Sequence, residues 1–242
     1  MVKNTYNIIG IISARGGSKR VPLKNLKGLN GRPLIAYVIK AAQMSRYLRR
    51  IIISTDHPEI KKVSLRYGAE VPFKRPKEIS GSCSSTLVIQ HAVRFLESRE
   101  KRRIDIAVTL QPTSPLANSE DIDRCIEMLI RDKGIQSAFS AKATEVPPEW
   151  MFRLKKDRRA ELCFSGTLRG KRTLRRYLED IYVPNGAIYA TRREALFGEN
   201  TIISKKTAIY VMPKERSIDI DDETDFKFAE FLMRKDQRRK IC

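Results

Sequence analysis

The sequence predicts an α/β protein with a mostly parallel sheet and helices on both faces. Short apolar runs rich in β-branched residues alternate along the chain with segments whose apolar residues recur at helical spacing. The resulting order, βαβαβαβ, favours parallel strands joined by crossover helices, which cover both faces of a sheet. At 242 residues the chain can bury a full core, so we expect a single domain over residues 1–242.

The first two thirds of the chain carry the clearest elements. We predict strands at Ile8–Ala14, Ile51–Ser54, Val71–Phe73, Ile104–Leu110 and Gln136–Ala141. We predict helices at Pro33–Tyr47, after Asp56, from Ser84 or Ser85 through Leu96, and from near Ser119. The starts of the second and third follow from capping, because Asp and Ser side chains accept hydrogen bonds from the free N–H groups of a first turn. The fourth has an acidic first turn, which suits the positive end of the helix dipole.

The alternating pattern breaks between about Thr144 and Val183. Prolines and basic residues are frequent there, and the apolar periodicity is poor. We interpret residues 144–183 as an arm inserted in the domain, serving as a lid or an interface. Beyond it we predict strands at Gly186–Ala190, Ala208–Met212 and Ser217–Ile220, and a final helix from about Glu223 to Arg234.

Composition excludes several classes of protein. The formal net charge is +20, which attracts polyanions, but the basic clusters do not interleave with aromatics, so we expect no specific nucleic-acid partner. No apolar run approaches the ~20 residues of a membrane span, so we expect no membrane partner. The cysteines form no CxxC pair, which indicates a reducing, cytoplasmic location. They are Cys83, Cys125, Cys163 and Cys242.

The first predicted strand runs into a loop, ARGGSKRVPLKN, that suits phosphate. Gly16 and Gly17 let backbone N–H groups approach an anion, and Arg15 and Lys24 supply positive charge. Neither GxxxxGK[ST] nor GxGxxG spacing is present, so this is a generic phosphate loop. The alternative is a glycine turn with solvated cations.

A second candidate site is SIDIDDETD, residues 217–225. In a strand, Asp219 and Asp221 would point to one face, and paired carboxylates are ligands that Mg²⁺ accepts together with substrate phosphates. Capping of the final helix explains the acids from Asp221 to Glu223. It does not explain Asp219, which lies between two isoleucines, so we favour metal binding.

Two other candidate segments adjoin predicted strands, one after a strand and one before a strand. LQPTSPL places Gln111 and two hydroxyls on a turn stiffened by prolines. VPNGAIY contains Asn185-Gly186, which by itself predicts a turn. His57 and His91 have no partner pattern, so a histidine-based triad or zinc hydrolase is not expected.

Taken in order, these segments resemble the acylneuraminate cytidylyltransferases, or CMP-sialic acid synthetases, and their relatives for legionaminic and pseudaminic acid. The matching pieces run from about Ile9 to Asp225. They are ARGGSKRVPLKN, GRPLI, ISTD, KRPKEIS, LQPTSPL, PNGAIY and SIDID. The resemblance implies a Rossmann-like nucleotidyltransferase fold and transfer of CMP from CTP to the anomeric hydroxyl of N-acetylneuraminic acid or a related nonulosonic acid, with Mg²⁺ as cofactor.

The resemblance also implies roles for particular residues. Asp219 and Asp221 would hold the metal, and four loop residues would hold the nucleotide phosphates: Arg15, Gly16, Lys24 and Asn25. The segment after the third strand would hold the cytosine, through Arg75, Ser80 and Ser82. Gln111, Asn185 and Tyr189 would face the sugar. The arm at 144–183 would form a homodimer and complete the partner's sugar pocket.

Two positions depart from the family's pattern. The family often has glycine where Arg20 stands, and usually an aspartate where Ser82 stands. We therefore assign phosphate binding to Arg15 and Lys24, and interpret Lys19 and Arg20 as part of the basic surface. Two alternatives stay open: a cytidylyltransferase for legionaminic or pseudaminic acid, and a catalytically degenerate, basic nucleic-acid-binding protein on this fold.

Overall fold

The computed structural model describes residues 6–18, 20–81, 83–164, 168–170 and 174–239. The strands are β1 (Ile8–Ser13), β2 (Gly28–Leu29), β3 (Arg32–Pro33), β4 (Arg50–Ser54), β5 (Ile106–Leu110), β6 (Ser137–Ala143), β7 (Phe152–Leu154), β8 (Ala160–Leu162), β9 (Tyr182–Arg192) and β10 (Thr207–Val211). The helices are α1 (Leu34–Gln43), α2 (Pro58–Arg66), α3 (Ser85–Glu100), α4 (Ser119–Arg131), α5 (Arg193–Gly198) and α6 (Glu223–Arg239).

Six strands form one sheet in the order β10-β6-β9-β5-β1-β4. All neighbours pair in parallel except β9, which runs antiparallel to both β5 and β6. The first residues of β9 therefore lie at the edge of the sheet where β1, β5 and β6 end. This confirms the predicted mostly parallel sheet, and it gathers the ends of the five parallel strands and the start of β9 at one edge.

Helices cover both faces of the sheet, as predicted. Side chains of a strand alternate between the faces, and β1 shows this directly. Ile8 and Ile12 pack in the core cluster with residues of α1 and α4. Ile9 and Ile11 pack in the opposite cluster with residues of α3 and Leu196 of α5. Within the described residues, no helix is long and apolar enough to cross a membrane.

Two predicted strands are wrong. At Val71–Phe73 the pairing stops one residue earlier, in a single bridge between Ile52 and Glu70, because Pro72 has no N–H to continue a ladder. Ser217–Ile220 pairs with no strand among the described residues; a short 3₁₀ turn at Lys214–Arg216 precedes it. Its backbone bonds to a neighbouring loop instead.

Two local predictions are also corrected. His57 caps α2, with its Nδ1 accepting from the Glu59 N–H at 3.2 Å, because the Asp56 carboxylate is engaged elsewhere, by the N–H of Gly16. Asn185-Gly186 forms no hairpin turn and lies inside β9 at a register shift against β6. Gly186 has φ +80° there, a conformation that glycine adopts at bulges without steric cost.

The arm, residues 144–183, leaves the sheet after β6 and returns into β9. Its strands β7 and β8 pair with each other as a hairpin. Many of its large hydrophobic side chains are exposed. They are Val146, Met151, Phe152, Leu154, Phe164, Leu168, Leu174, Tyr177 and Tyr182.

Candidate active site

A cleft of ≈ 330 Å³ opens at the carboxyl edge of the sheet. Its walls come from three places: the loop after β1, the QPT turn after β5, and Asp221 before α6. The carboxyl edge of parallel strands is where open α/β sheets bind ligands. The cleft therefore brings together the glycine loop and the acidic segment, which the sequence separates by about 200 residues.

The glycine loop is held in place by side chains that bond to its backbone. Gly16 N–H donates to Asp56 Oδ1 at 2.9 Å, and the buried Asn25 amide donates to the Arg15 carbonyl at 3.1 Å. A Cβ on Gly16 would come within 2.7 Å of His57 Cδ2, so any larger residue would require the His57 side chain to move. The Arg15 guanidinium lines the cleft and donates to the Gly81 carbonyl at 2.8 Å.

The acidic segment is fixed by its central residue. Ile220 is fully buried, and its N–H donates to the Thr113 carbonyl at 2.8 Å. The Lys24 ammonium donates to the Ile220 carbonyl at 2.5 Å. Asp219 and Asp221 flank this anchor and are exposed. The alternation expected of a strand is thus present without a strand, because Ile220 is packed and bonded from both sides.

The Asp219 carboxylate is partly enclosed, although the residue as a whole is exposed. Partial burial raises its pKa, and the nearby negative charge of Asp221 raises it further, whereas a hydrogen bond from Thr113 and the charge of Lys24 lower it. A Cβ on Gly186 would lie 3.1 Å from Asp219 Oδ2. The missing side chain at Gly186 therefore leaves the space that this carboxylate uses.

Asp221 is held by two cations of the glycine loop. Arg20 Nη1 lies 3.0 Å from Asp221 Oδ2, and Lys24 Nζ lies 3.6 Å from Oδ1. Arg20 also lines the cleft. Arg20 therefore lies beside the predicted site as well as on the basic surface, and its place within the glycine loop was the signal that pointed there.

The two carboxylates fit a divalent cation in type and number. Carboxylate oxygens are hard ligands, and Mg²⁺ is often bound by one or two of them together with water and substrate phosphates. In the described part of the chain, no group of three or more His, Cys, Asp or Glu side chains is arranged to hold a metal. A cation at Asp219 and Asp221 would therefore take its other ligands from phosphate and water.

Arg75 lies beneath the cleft instead of opening into it. Its guanidinium donates to Ser54 Oγ at 3.0 Å and to Ser13 Oγ at 2.9 Å. Burial lowers the pKa of Arg75, and the charge of Asp56 offsets part of that effect. Ser80 Oγ donates to the Pro76 carbonyl at 2.8 Å. Ser82 lies outside the described residues, so the predicted cytosine contacts stay predictions.

The three residues predicted to face the sugar occupy different environments. Gln111 lines the cleft. Tyr189 stacks on Phe139 with ring centroids 6.3 Å apart, and its pKa is raised by burial and then by the charge of Asp219. Asn185 is buried and lies in a network beneath the site.

The Asn185 network ties β9 to β6 and to the acidic segment. Its Oδ1 accepts from Ser140 Oγ at 2.7 Å, and its Nδ2 donates to Ser217 Oγ at 3.0 Å. Ser217 opens the segment that carries Asp219. The amide of Asn185 thus positions the acidic segment in this structure, and its contact with a sugar stays a prediction.

Comparison with known proteins identifies relatives over most of the chain. The sequence model of a family described as cytidylyltransferase matches residues 9–240. A pseudaminic acid cytidylyltransferase of Campylobacter jejuni is 33% identical over 223 residues, covering 92% of this chain and 94% of that protein. An N-acylneuraminate cytidylyltransferase of Escherichia coli is 32% identical over 235 residues, covering 97% of this chain and 54% of that protein.

A solved structure has the same fold. A CMP:2-keto-3-deoxy-manno-octonic acid synthetase complexed with CTP matches with a TM-score of 0.67 and 18% sequence identity. The match covers 95% of this chain and 99% of that one. At this identity the likeness supports the fold and no finer statement.

Proposed function

The chain belongs to the cytidylyltransferase family, and from that premise we propose that it transfers CMP from CTP to the anomeric hydroxyl of a nonulosonic acid, releasing pyrophosphate. N-acetylneuraminic acid is the first candidate, with pseudaminic and legionaminic acid as alternatives. Identities of 33% and 32% to relatives named for two of these sugars do not discriminate between them. The observation that carries the proposal is the bond from Lys24 to the Ile220 carbonyl, which joins the glycine loop to the acidic segment across 196 positions.

The glycine loop supplies the phosphate end of the proposed site. Arg15, Gly16, Lys24 and Asn25 would hold the triphosphate, with the two cations balancing the charge that concentrates on the leaving pyrophosphate. Such a displacement depends on alignment and charge stabilisation more than on a covalent nucleophile. The lining of the cleft agrees with this, because it offers cations, amides and hydroxyls.

Asp219 and Asp221 supply the metal end. They would hold Mg²⁺, which when bound neutralises phosphate oxygens and orients the reacting groups. Thr113 holds Asp219 by a hydrogen bond, and Lys24 keeps positive charge beside both carboxylates. Arg75, Ser80 and Ser82 would recognise the cytosine, with the buried Arg75 stiffening the floor below it.

The sugar would lie on the side of the cleft formed by Gln111 and Tyr189, with Asn185 behind them. We further propose a homodimer in which the arm at 144–183 packs against a second copy and completes its sugar pocket. Exposed apolar side chains on the arm support this, notably Leu154 at 75% and Phe164 at 57% exposure. The free thiols of Cys83, Cys125 and Cys163 suit the cytoplasm.

A panel of nonulosonic acids tests the proposed function. The purified protein is incubated with CTP, Mg²⁺ and one sugar at a time, and pyrophosphate release is measured. We expect release with one sugar or a few, and none when CTP, metal or sugar is omitted. No release with any sugar at high enzyme concentration would contradict the proposal and favour the nucleic-acid-binding alternative.

A variant of the metal site completes the test. Asp221→Asn keeps the size of the side chain and removes its charge, so turnover should be lost while the circular dichroism spectrum and melting temperature are retained. Undiminished turnover in this variant would remove Asp221 from the metal site.

A further inference from the structure

Arg20 occupies the carboxylate of Asp221, to which an incoming metal ion would bind. Its guanidinium lies 3.0 Å from the Asp221 carboxylate, and its side chain is 68% exposed on the wall of the cleft. Lys24 approaches the other oxygen of the same carboxylate at 3.6 Å. Both oxygens of Asp221 thus face a positive charge before any ligand binds.

This ion pair is not needed to hold the two segments together. The Lys24 ammonium, only 13% exposed, already bonds to the Ile220 carbonyl. Lys27 pairs with Glu223 and also lies over the Phe226 ring, 4.8 Å from its centroid. Arg20 adds little to this tether, because an exposed ion pair contributes little to stability. Its position points to a role in binding.

Arg20 and Lys24 would compete with a divalent metal ion for the Asp221 carboxylate. A divalent cation that binds this carboxylate alone would meet two positive side chains at short range and would have to displace one of them. A cation that arrives with a triphosphate brings four or so negative charges, which offset that repulsion and give the displaced guanidinium a new partner.

We propose that Arg20 is a resident counter-ion of Asp221, which a divalent metal displaces and which then binds the triphosphate accompanying that metal. The inference rests on the proposed function. It makes metal binding and triphosphate binding support each other, since each ligand removes an obstacle to the other. It also gives a role to a cation at a position where the resembled family often has glycine.

Metal binding without nucleotide is the first test. Mn²⁺ binding to the wild type, Arg20→Ala and Lys27→Ala is measured by electron paramagnetic resonance of the free ion. We expect Arg20→Ala to bind Mn²⁺ about two- to fivefold more tightly, the range that an exposed ion pair supports. Lys27→Ala removes the same charge and an ion pair between the same two segments, and should bind Mn²⁺ as the wild type does.

Nucleotide binding with the metal present is the second test. CTP binding at saturating Mg²⁺ is measured by calorimetry, and Arg20→Ala should bind it several-fold more weakly than the wild type, with Arg20→Lys in between. The opposite signs of the two effects distinguish a counter-ion from an ordinary phosphate ligand. Unchanged or weaker Mn²⁺ binding in Arg20→Ala, or unchanged CTP binding, would overturn the proposal.

These outcomes separate this proposal from the proposed function. If the wild type makes a CMP-sugar but Arg20→Ala binds Mn²⁺ no more tightly, only the counter-ion role fails. If the wild type neither binds Mn²⁺ nor releases pyrophosphate, both fail together. Because the Arg20 side chain is exposed, its variants should fold, and matching melting temperatures would establish that they do.

Discussion

The cleft and the arm differ in whether their side chains find partners within the chain. Around the cleft, buried polar groups such as Asn25, Arg75 and Asn185 bond to the chain's own backbone and hydroxyls. On the arm, large apolar groups such as Phe152 and Leu154 are exposed. One chain therefore suffices to shape the phosphate and metal end of the cleft, whereas the arm presents the kind of surface that a second molecule covers. Changes in the cleft should alter turnover, and changes in the arm should alter assembly.

The sharpest test of this contrast is Asp219→Asn. We expect turnover to fall by about a thousandfold, since several kcal/mol of charge stabilisation would be lost. Asp222→Asn is the matched control, because Asp222 caps α6 and asparagine caps equally well. Pyrophosphate release measures both variants. Equal turnover in the two would refute a metal role for Asp219.

Most substitutions of a partly buried residue lower the melting temperature, but Asp219→Asn should not do so at neutral pH. The pKa of Asp219 is raised by burial, so the folded protein binds this proton more tightly than the unfolded chain does. The stabilisation this gives is present below the unfolded pKa, ~3.9, and is lost as pH rises through the folded pKa. At neutral pH the variant should melt at the wild-type temperature or slightly above it; a clear fall would contradict the assignment.

The next largest effect is expected from Gly186→Ala. The new methyl would press on the Asp219 carboxylate and move it by a few tenths of an ångström. Since a displacement of the order of 1 Å costs about a hundredfold in rate, we expect turnover to fall by several-fold. Gly31→Ala is the control, because Gly31 has the same φ of +80° with open space around it. The two variants should lose similar stability in urea denaturation, and only Gly186→Ala should lose turnover.

Asn185→Ala tests whether this residue contacts the sugar or supports the site. Removing the amide takes one hydrogen bond from each of Ser140 and Ser217, which keep only backbone partners, so the free energy of unfolding should fall by about 1–3 kcal/mol. A sugar contact alone would instead raise the KM for the sugar and leave stability unchanged. Denaturant unfolding together with KM measurements for both substrates separates the two roles.

The smallest effect is expected on the arm. Leu154→Ser should weaken the proposed dimer about tenfold, because its side chain is 75% exposed and one apolar anchor contributes about 1–2 kcal/mol to an interface. Met44→Ser, at 74% exposure but at the end of α1, should leave assembly unchanged. Sedimentation velocity measures both. A wild type that stays monomeric at micromolar concentration would contradict the dimer itself.

The sequence predicts the sheet well because its signals are local. The isoleucines of β1 and the spacing of apolar residues in α1 carry their own periodicity. The reversed strand β9 is different: its direction depends on pairing with β5 and β6, which no local pattern records. The alternation at Ile218–Asp221 predicted the right exposure with the wrong structure, since Thr113 and not a strand partner receives its hydrogen bond.

The candidate site also combines features that local sequence predicts with contacts that depend on long-range folding. Arg15, Lys24 and Asp221 lie together in one cleft, as their residue types and their places after strands suggested. Arg20 was excluded by comparison with a family pattern, although its ion pair with Asp221 depends only on where the loop folds. The burial of Arg75 and the network of Asn185 are long-range packing results, and sequence spacing contains no measure of them.

The reversed direction of β9 has one more consequence. Because β6 and β9 are adjacent antiparallel strands, everything between Ala143 and Tyr182 is topologically the connection of one long hairpin. The entropy of closing such a connection rises only slowly with its length. Segments of different size and composition can therefore be exchanged at this point without refolding the sheet, so the molecule could acquire a new partner surface while keeping its chemistry.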